Sequence, residues 1–184
     1  MSLKLVHLAA ELEQCDEFHL ARLLLLLKAA AGRSDKPVQG IMKLAKMDFL
    51  LRYPNCLVRV LKAVGKEALV QQIPEEERNT IEARMIRFRF GPWDSRYRRW
   101  IGLLVAKGLA HTYLDGRTVN VKLTDAGVNV ASHIAELDEY RSLAHRSQMV
   151  SSAVGSFPAT KLKDFVYQVF PEIVNMQWGR QIEL

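Results

Sequence analysis

The chain has 184 residues, a length that suits one domain of ordinary size or two small ones with a buried core. Its net charge of +6 permits contact with nucleic acid but does not require it. The two cysteines lack metal-ligand spacing and no signal peptide is predicted, so we expect a reducing cytoplasm. Both Cys15 and Cys56 are expected to be packing residues, because a free buried cysteine behaves as a small hydrophobe.

The first two predicted helices are strongly apolar. Residues 2–14 carry apolar side chains on one helical face, and a second helix begins after Asp16. Its run from Leu23 to Leu27 is apolar on all sides, but Arg22 and Lys28 bracket it, and a membrane span needs about twenty apolar residues. We therefore expect a helix that is buried in the protein's own core or shared with another chain, and no membrane span.

Glycine and proline mark the first break in the chain. Gly32 is expected to end the second helix, and Pro37 to begin the next. A third helix is predicted from Val38 to Tyr53. Its two lysines, Lys43 and Lys46, fall on one outward-facing turn.

The following segment predicts short helices and then a strand. Pro54 forces a corner, after which a short helix runs to Gly65. Pro74 and the three glutamates that follow it predict another helix start, because carboxylates are favoured at the positive end of the helix dipole. Residues 85–90 alternate apolar and basic side chains, a strand pattern that we assign to a third strand of the β-hairpin described below.

The most informative unit runs from Phe88 to Gly127 and predicts a helix, a tight β-hairpin and a second helix. Asp94 and Ser95 can accept the first free N–H groups of the helix, and Gly108 is suited to end it. The residues at helical spacing that we expect to face inward are Tyr97, Trp100, Ile101, Leu104 and Val105.

The β-hairpin is predicted by a turn sequence and by alternation. Asp115-Gly116 suits a two-residue turn, and Val119, Val121 and Leu123 alternate with polar residues. Thr124 or Asp125 is expected to cap the next helix. The phrase KGLAHTYLDGRTVNVKLTDAG resembles the helix end, wing and helix start of winged-helix regulators, which bind DNA or protein or shape a larger assembly.

These elements predict a mostly α fold, a helical domain that contains a winged helix-turn-helix with a small β-hairpin wing. We divide the chain into an N-terminal helical part over residues 1–73 and a winged-helix core over residues 74–137. C-terminal helices and a docking tail take residues 138–184.

Basic residues are concentrated in the middle of the chain. Between Arg84 and Lys107 there are seven basic residues and one acid, Asp94. The outward face of the helix after Asp94 lacks the asparagine or glutamine that pairs with adenine, so phosphate contact is favoured over base reading, and a protein-facing role stays open. The candidate residues for contact with the DNA backbone are Arg96, Arg98, Arg99, Lys107 and Arg117.

The C-terminal part ends in an apolar tail. Breaks are predicted near Asp138 and at Gly155 to Pro158, and a last amphipathic helix begins near Thr160 and ends at Pro171. The tail after it either folds back on the protein's own core or docks on a partner, because an apolar terminus is seldom left in water. The candidate residues for a partner interface are Phe90, Trp93, Phe165, Phe170 and Trp178.

No catalytic or metal-binding pattern is present in the sequence. The five histidines are scattered, and neither a GxxxxGKS/T loop nor a GxGxxG motif occurs. Asp48, Asp115 and Asp125 are interpreted as helix-surface, turn and cap residues. We expect a protein that is not an enzyme and that has no cofactor, no metal ion and no small-molecule substrate.

Three longer phrases resemble one family: GIMKLAKMDFLLRYPNCLVRVL, RFRFGPWDSRYRRWIGLLVAKGLA and KLKDFVYQVFPEI. They are similar to the middle component of the ABC-three-component, Lamassu-type, bacterial defence systems. The residues that mark the two most telling stretches are Lys43, Lys46, Phe49, Tyr53, Phe90, Pro92, Trp93 and Tyr97.

The resemblance implies a small non-enzymatic subunit, kleisin-like or a kleisin-associated winged-helix protein. Such a subunit joins an SMC-like coiled-coil ATPase to an effector nuclease in a defence complex, and the other two subunits carry ATP binding and the chemistry. A basic middle that lies along DNA without sequence preference agrees with this role.

The alternative is a free-standing, dimeric winged-helix transcription regulator. That hypothesis predicts a palindromic operator and discrimination between bases. A bridging subunit instead predicts a stable complex with other chains and DNA binding that depends strongly on salt.

Overall fold

The computed structural model describes residues 15–78, 80 and 84–184. The helix predicted over residues 2–14 lies outside these ranges. Within them the chain forms ten α-helices and two small antiparallel sheets, which confirms a mostly helical fold with little β-structure.

The helices are α1 (Asp16–Ala31), α2 (Ile41–Arg52), α3 (Pro54–Ala63), α4 (Glu67–Val70), α5 (Glu75–Arg78), α6 (Tyr97–Ala106), α7 (Asp125–Glu136), α8 (Asp138–Val154), α9 (Ala159–Val169) and α10 (Pro171–Asn175). A 3₁₀-helix, Gly32–Ser34, follows α1. The strands are β1 (Val38–Gln39), β2 (Ile86–Phe88), β3 (Gly91–Trp93), β4 (Ala110–Asp115) and β5 (Thr118–Leu123).

Helix α1 lies at the centre of the molecule, packed between α7 and α8. Its residues Leu23 to Leu27 are at most 3% exposed. The apolar run is therefore buried in the protein's own core rather than shared with another chain. None of the described helices is long and apolar enough to cross a bilayer.

The three-stranded sheet has the order β1-β5-β4. Val38 pairs with Val121, and the Gly40 N–H donates to the Val119 carbonyl at 3.1 Å. The prediction of a helix from Val38 was therefore wrong at its start, since α2 begins at Ile41. Pairing with β5, which is distant in sequence, determines this segment, and Gly40 makes the turn with a φ of 100°.

The β4–β5 hairpin forms as predicted, but its turn is shifted by one residue. Asp115 pairs with Thr118 as the last residue of β4, so Gly116 and Arg117 are the two turn residues. Gly116 has a φ of 57°, which glycine adopts without strain. Thr124 caps α7 by accepting the Gly127 N–H at 3.0 Å.

The strand predicted over residues 85–90 exists but does not join the β4–β5 hairpin. Strand β2 pairs with β3, and the C-terminal tail covers the other edge of β2. The Arg87 N–H donates to the Arg180 carbonyl at 2.8 Å, and the Ile182 N–H donates to the Met85 carbonyl at 2.8 Å. The tail thus folds back on the protein's own core, one of the two predicted alternatives.

One hydrophobic core contains residues from all three predicted parts of the chain. Leu24, Trp100 and Val150 belong to the same cluster, and strand β1 pairs with β5. The division into three parts stays a prediction. Cys56 is fully buried and Cys15 partly buried, and burial raises the pKa of the Cys56 thiol to about 12.

Candidate functional site

Helix α6 presents two different faces. Four of the five predicted inward residues, namely Tyr97, Trp100, Ile101 and Leu104, are at most 5% exposed. Val105 was predicted to face inward but is 40% exposed. The exposed face carries Arg98, Arg99, Gly102 and Ala106.

The buried face of α6 is held by four charged residues and a tyrosine, which we call the buried ion cluster: Arg22, Asp48, Arg52, Asp94 and Tyr97. The Asp48 carboxylate accepts the Arg22 Nε–H at 2.7 Å and the Arg52 Nε–H at 2.8 Å. It also accepts the Tyr97 hydroxyl at 2.6 Å. The cluster therefore joins α1, α2 and α6 at one carboxylate.

Asp94 extends the buried ion cluster to the loop before α6. It lies 3.0 Å from Arg52 Nη1, and its Oδ1 accepts the backbone N–H of Arg96 at 3.0 Å. Asp94 was predicted to cap the first residues of the helix. Because α6 begins at Tyr97, Asp94 instead holds the turn before the helix. Arg96 completes the contact with a side-chain hydrogen bond of 2.9 Å to Asp94 Oδ2.

Aromatic rings complete the surroundings of the buried arginines. The Arg22, Arg52 and Arg96 guanidinium carbons lie 5.6, 5.4 and 4.8 Å from the Trp100 ring centroid. The Trp100 Nε1–H donates to Asp16 Oδ1 at 3.1 Å. Arginine charge is thus balanced by carboxylates and by the negative face of an indole ring.

Electrostatics keep both buried carboxylates ionised. Burial alone would raise the pKa of Asp48, but the charges of Arg22 and Arg52 outweigh burial and lower the pKa to about 2. The pKa of Asp94 is also lowered, because hydrogen bonds from Arg96 and the charge of Arg52 outweigh burial. Burial and the charge of Asp48 raise the pKa of Tyr97, so its hydroxyl stays a donor.

Sequence reasoning missed this cluster. Asp48 was interpreted as a helix-surface residue and is fully buried, as are Arg22 and Arg52. Lys46 was predicted on an outward turn and is 2% exposed, and burial together with the charge of Lys163 lowers its pKa to about 8. The available signal was the isolated charges within the apolar sequences LARLLLLL and MDFLLR.

The five predicted DNA-backbone residues divide into two groups. Arg96 is paired with Asp94, and Arg99 is paired with the Asp16 carboxylate. Arg98, Lys107 and Arg117 are exposed and form no salt bridge in the part of the chain that the structure describes. They lie at the start of α6, just after its end, and in the β4–β5 turn.

The partner-interface candidates also divide. Phe170 is fully buried against Phe49, with ring centroids 5.6 Å apart, so its assignment to an interface was wrong. Phe165 is partly buried and packs edge-on against Phe157 at 5.4 Å. Phe165 and Phe170 therefore pack on the core, because the apolar stripe of α9 lies against α2 and α3.

The remaining candidates are Phe90, Trp93 and Trp178. Together with Phe88, which was not a candidate, they form what we call the aromatic surface, with Phe90 in the turn between β2 and β3. Phe88, Phe90 and Trp178 are 43%, 44% and 64% exposed. The Phe88 ring centroid lies 6.3 Å from both Trp93 and Trp178. Two large exposed side chains in contact, Phe88 and Trp178, beside the partly buried Trp93, are typical of a binding surface rather than of isolated surface residues.

The described residues offer no cluster suited to holding a metal ion. No group of three His, Cys, Asp or Glu side chains in those ranges is placed to hold a metal ion. Comparison with known proteins finds no matching family model, no similar curated protein and no similar solved structure.

Proposed function

We propose that this protein is a non-enzymatic bridging subunit, built on a winged helix, that joins an SMC-like ATPase to an effector nuclease in a bacterial defence complex of the Lamassu type. In this proposal the protein contacts DNA only through phosphates. The family resemblance supplies the identity of the partners, and the surfaces of the molecule supply the physical support.

The element order supports the winged-helix part of the proposal. Helix α1, strand β1, helices α2 and α6, and strands β4 and β5 follow one another in the order of a winged helix, with β5 in the middle of the sheet. Residues 53–96 form an insertion between α2 and α6. Helix α6 then corresponds to the recognition helix and β4–β5 to the wing.

The exposed face of α6 supports phosphate contact rather than base reading. Arg98 is free of acidic partners among the described residues, while Gly102 and Ala106 offer no groups that could pair with a base edge. Arg117 in the wing turn and Lys107 add positive charge at separate points. Such a face binds a backbone without distinguishing sequences, which argues against the alternative of a transcription regulator.

The aromatic surface is the observation that carries the bridging role. It belongs to the insertion and to the C-terminal tail, not to the elements that form the winged helix. Exposed tryptophan and phenylalanine beside arginine are the residues most enriched at protein interfaces. A subunit with these two surfaces can hold DNA on one and a protein partner on the other, and the second protein partner of the bridge follows from the family resemblance alone.

The test is purification of a tagged chain expressed from its native operon, with composition determined by mass spectrometry and mass by light scattering. We expect a defined complex that contains a large coiled-coil ATPase. Replacing both Phe90 and Trp178 by alanine should release the partner while the purified chain keeps its melting temperature. The matched control, Val174→Ala, removes another exposed apolar side chain and should leave the complex intact.

Recovery of a lone homodimer that retards one promoter fragment in the presence of competitor DNA would overturn the proposal. That result would establish the regulator instead. A complex that persists unchanged in the Phe90 and Trp178 double variant would contradict the assignment of the aromatic surface.

A further inference from the structure

A cleft of about 1110 Å³ lies at the C-terminal end of α1, on a part of the molecule that neither proposed surface uses. Its walls are the end of α1 with the following 3₁₀-helix, the end of β5, and one face each of α7 and α8. Ligand sites in proteins commonly have volumes of about 300 to 1,000 Å³. The cleft is thus large enough for a small organic molecule.

Small side chains create the space. Ala29, Ala135 and Ala144, which come from three different helices, line the cleft. Larger side chains at these positions would fill it. Leu25 and Leu123 supply the apolar wall beside them, so the interior favours a hydrocarbon or aromatic group.

The polar residues of the cleft leave an excess of positive charge. Its cations are Lys28, Arg33 and Lys122 and its carboxylates are Asp35 and Asp125, so its net charge is +1 with His111 neutral. Lys122 and Asp35 pair with each other at 2.5 Å. The unbalanced cations are therefore on the α1 side of the cleft.

Lys28 and Arg33 are available to an anion. The Lys28 Nζ donates to the neutral Ser132 hydroxyl at 2.7 Å, which satisfies one N–H without neutralising the charge. Arg33 is exposed and has no salt bridge to any residue that the structure describes. An anion that contacts both would gain charge-assisted hydrogen bonds without displacing an existing carboxylate.

We propose that this cleft binds a small amphiphilic organic anion, which is an aliphatic or aromatic body carrying one carboxylate or sulfonate group. The apolar body lies against Leu25 and the alanines, and the anionic group contacts Lys28 and Arg33. The proposal is independent of the bridging function, because the cleft shares no residue with the aromatic surface or with the exposed face of α6.

The test uses two probes with the full chain. Fluorescence titration with 8-anilinonaphthalene-1-sulfonate should give one saturable site, and decanoate should displace the dye in competition. Arg33→Ala removes an exposed charge and should weaken dye binding about fivefold or more. Ala144→Phe should weaken dye binding, because the phenyl ring occupies part of the apolar wall of the cleft, and a melting temperature measured in parallel confirms that the variant is folded.

Trp178→Ala is the matched control, since the aromatic surface is the other exposed apolar region where the dye can bind. This variant should bind the dye like the wild type. Loss of the dye signal in Trp178→Ala, retention of full affinity in Arg33→Ala, or failure of decanoate to compete would each overturn the proposal. If Ala144→Phe does not fold, Arg33→Ala and the competition experiment still decide the question.

Discussion

The start of helix α6 and the wing that follows the helix differ in burial. At the N-terminal end, Tyr97 and Trp100 are fully buried and donate hydrogen bonds to Asp48 and Asp16. Beyond the C-terminal end, every residue from 111 to 118 of the wing is exposed. The start of α6 is thus fixed to the core by hydrogen bonds to carboxylates, whereas the wing beyond its end is exposed to solvent.

The comparison shows that arginines in this chain have two roles, which depend on whether the side chain is buried or exposed. Arg52 and Arg98 carry the same charge, but Arg52 is fully buried between Asp48 and Asp94, and Arg98 is exposed without an acidic partner among the described residues. A buried cation must be paired because an unpaired one costs several kcal/mol. Only the exposed cations are therefore free to bind phosphate.

The largest loss of stability is expected on removal of the Asp48 carboxylate, which other members of the buried ion cluster share. Asp48→Asn leaves Arg22 buried without its counter-charge and leaves Arg52 with Asp94 alone, so we expect the free energy of unfolding to fall by about 3 to 5 kcal/mol. Urea denaturation monitored by tryptophan fluorescence measures the change.

Asp138→Asn is the matched control, because Asp138 forms an exposed ion pair with Arg141 in α8. Its loss should change the free energy of unfolding by less than about 0.5 kcal/mol. Equal effects of the two substitutions would show that the buried ion cluster does not hold α6.

Two glycines on either side of the wing in sequence, Gly102 in α6 and Gly127 in α7, differ in the space around them. A Cβ at Gly127 would lie 1.9 Å from the Leu109 carbonyl oxygen, because the start of α7 packs directly on the chain that enters β4. Gly127→Ala should therefore lower the free energy of unfolding by about 3 kcal/mol, near the upper end for overpacking.

Gly102 lies in the exposed face of α6, and a Cβ there meets no atom within 4 Å. Gly102→Ala should raise the free energy of unfolding by roughly 0.5 to 1 kcal/mol, because alanine loses less backbone entropy in a helix. Thermal and urea denaturation of the two variants side by side give the answer. Destabilisation by Gly102→Ala would mean that this face of α6 is not open.

Acid should weaken the buried ion cluster selectively. The pKa of Asp48 in the folded protein is lowered from 3.8 to about 2, so its contribution is complete above about pH 4 and is lost as the pH falls toward 2. The lowered pKa corresponds to about 2 kcal/mol of stability. The pKa of Asp94 is lowered too, so its effect has the same sign.

The measurement is the difference in the free energy of unfolding between the wild type and Asp48→Asn from about pH 6 down to about pH 2. We expect this difference to narrow as the pH falls, because the wild type loses what the variant already lacks. A difference that stays constant over the whole range would contradict the assigned charge of Asp48.

The smallest effects on stability are expected at the exposed cations. Arg98→Ala and Arg117→Ala should each change the free energy of unfolding by less than about 0.5 kcal/mol, since neither side chain has an acidic partner in the described ranges. Denaturation midpoints provide the check. A large loss of stability would show that these arginines stabilise the fold, as the buried Arg22 and Arg52 do.

Local patterns in the sequence predicted the local elements of this fold. The inward stripe of α6, the β4–β5 hairpin and the cap of α7 depend on residues within a few positions of one another. Four of the five inward residues are buried, the hairpin forms with its turn shifted by one residue, and Thr124 is the cap. The predictions that failed depend on distant partners. Val38 joins a strand because of β5, and residues 86–88 pair with β3 and the tail instead of with the wing.

The exposure and burial of the candidate site residues could be predicted only in part. Arg98 and Trp178 were named as candidates and are exposed, but Asp48 and Phe170 were misplaced because burial depends on which helices pack together. Asp48 is tolerable in the core only because Arg22, which is 26 positions away, and Tyr97 reach it. A single sequence carries no direct signal for such a meeting.

The most direct test of the division between structural and binding arginines is the salt dependence of duplex binding. The logarithm of the binding constant for a random-sequence duplex should fall linearly with the logarithm of the salt concentration. Arg98→Ala and Arg117→Ala should each reduce the slope by about 0.9, the value for one phosphate contact. Arg33→Ala, an exposed arginine in the cleft, should leave the slope unchanged, and two unrelated duplexes should bind equally. Unchanged slopes in both variants, or a strong preference for one duplex, would contradict the account.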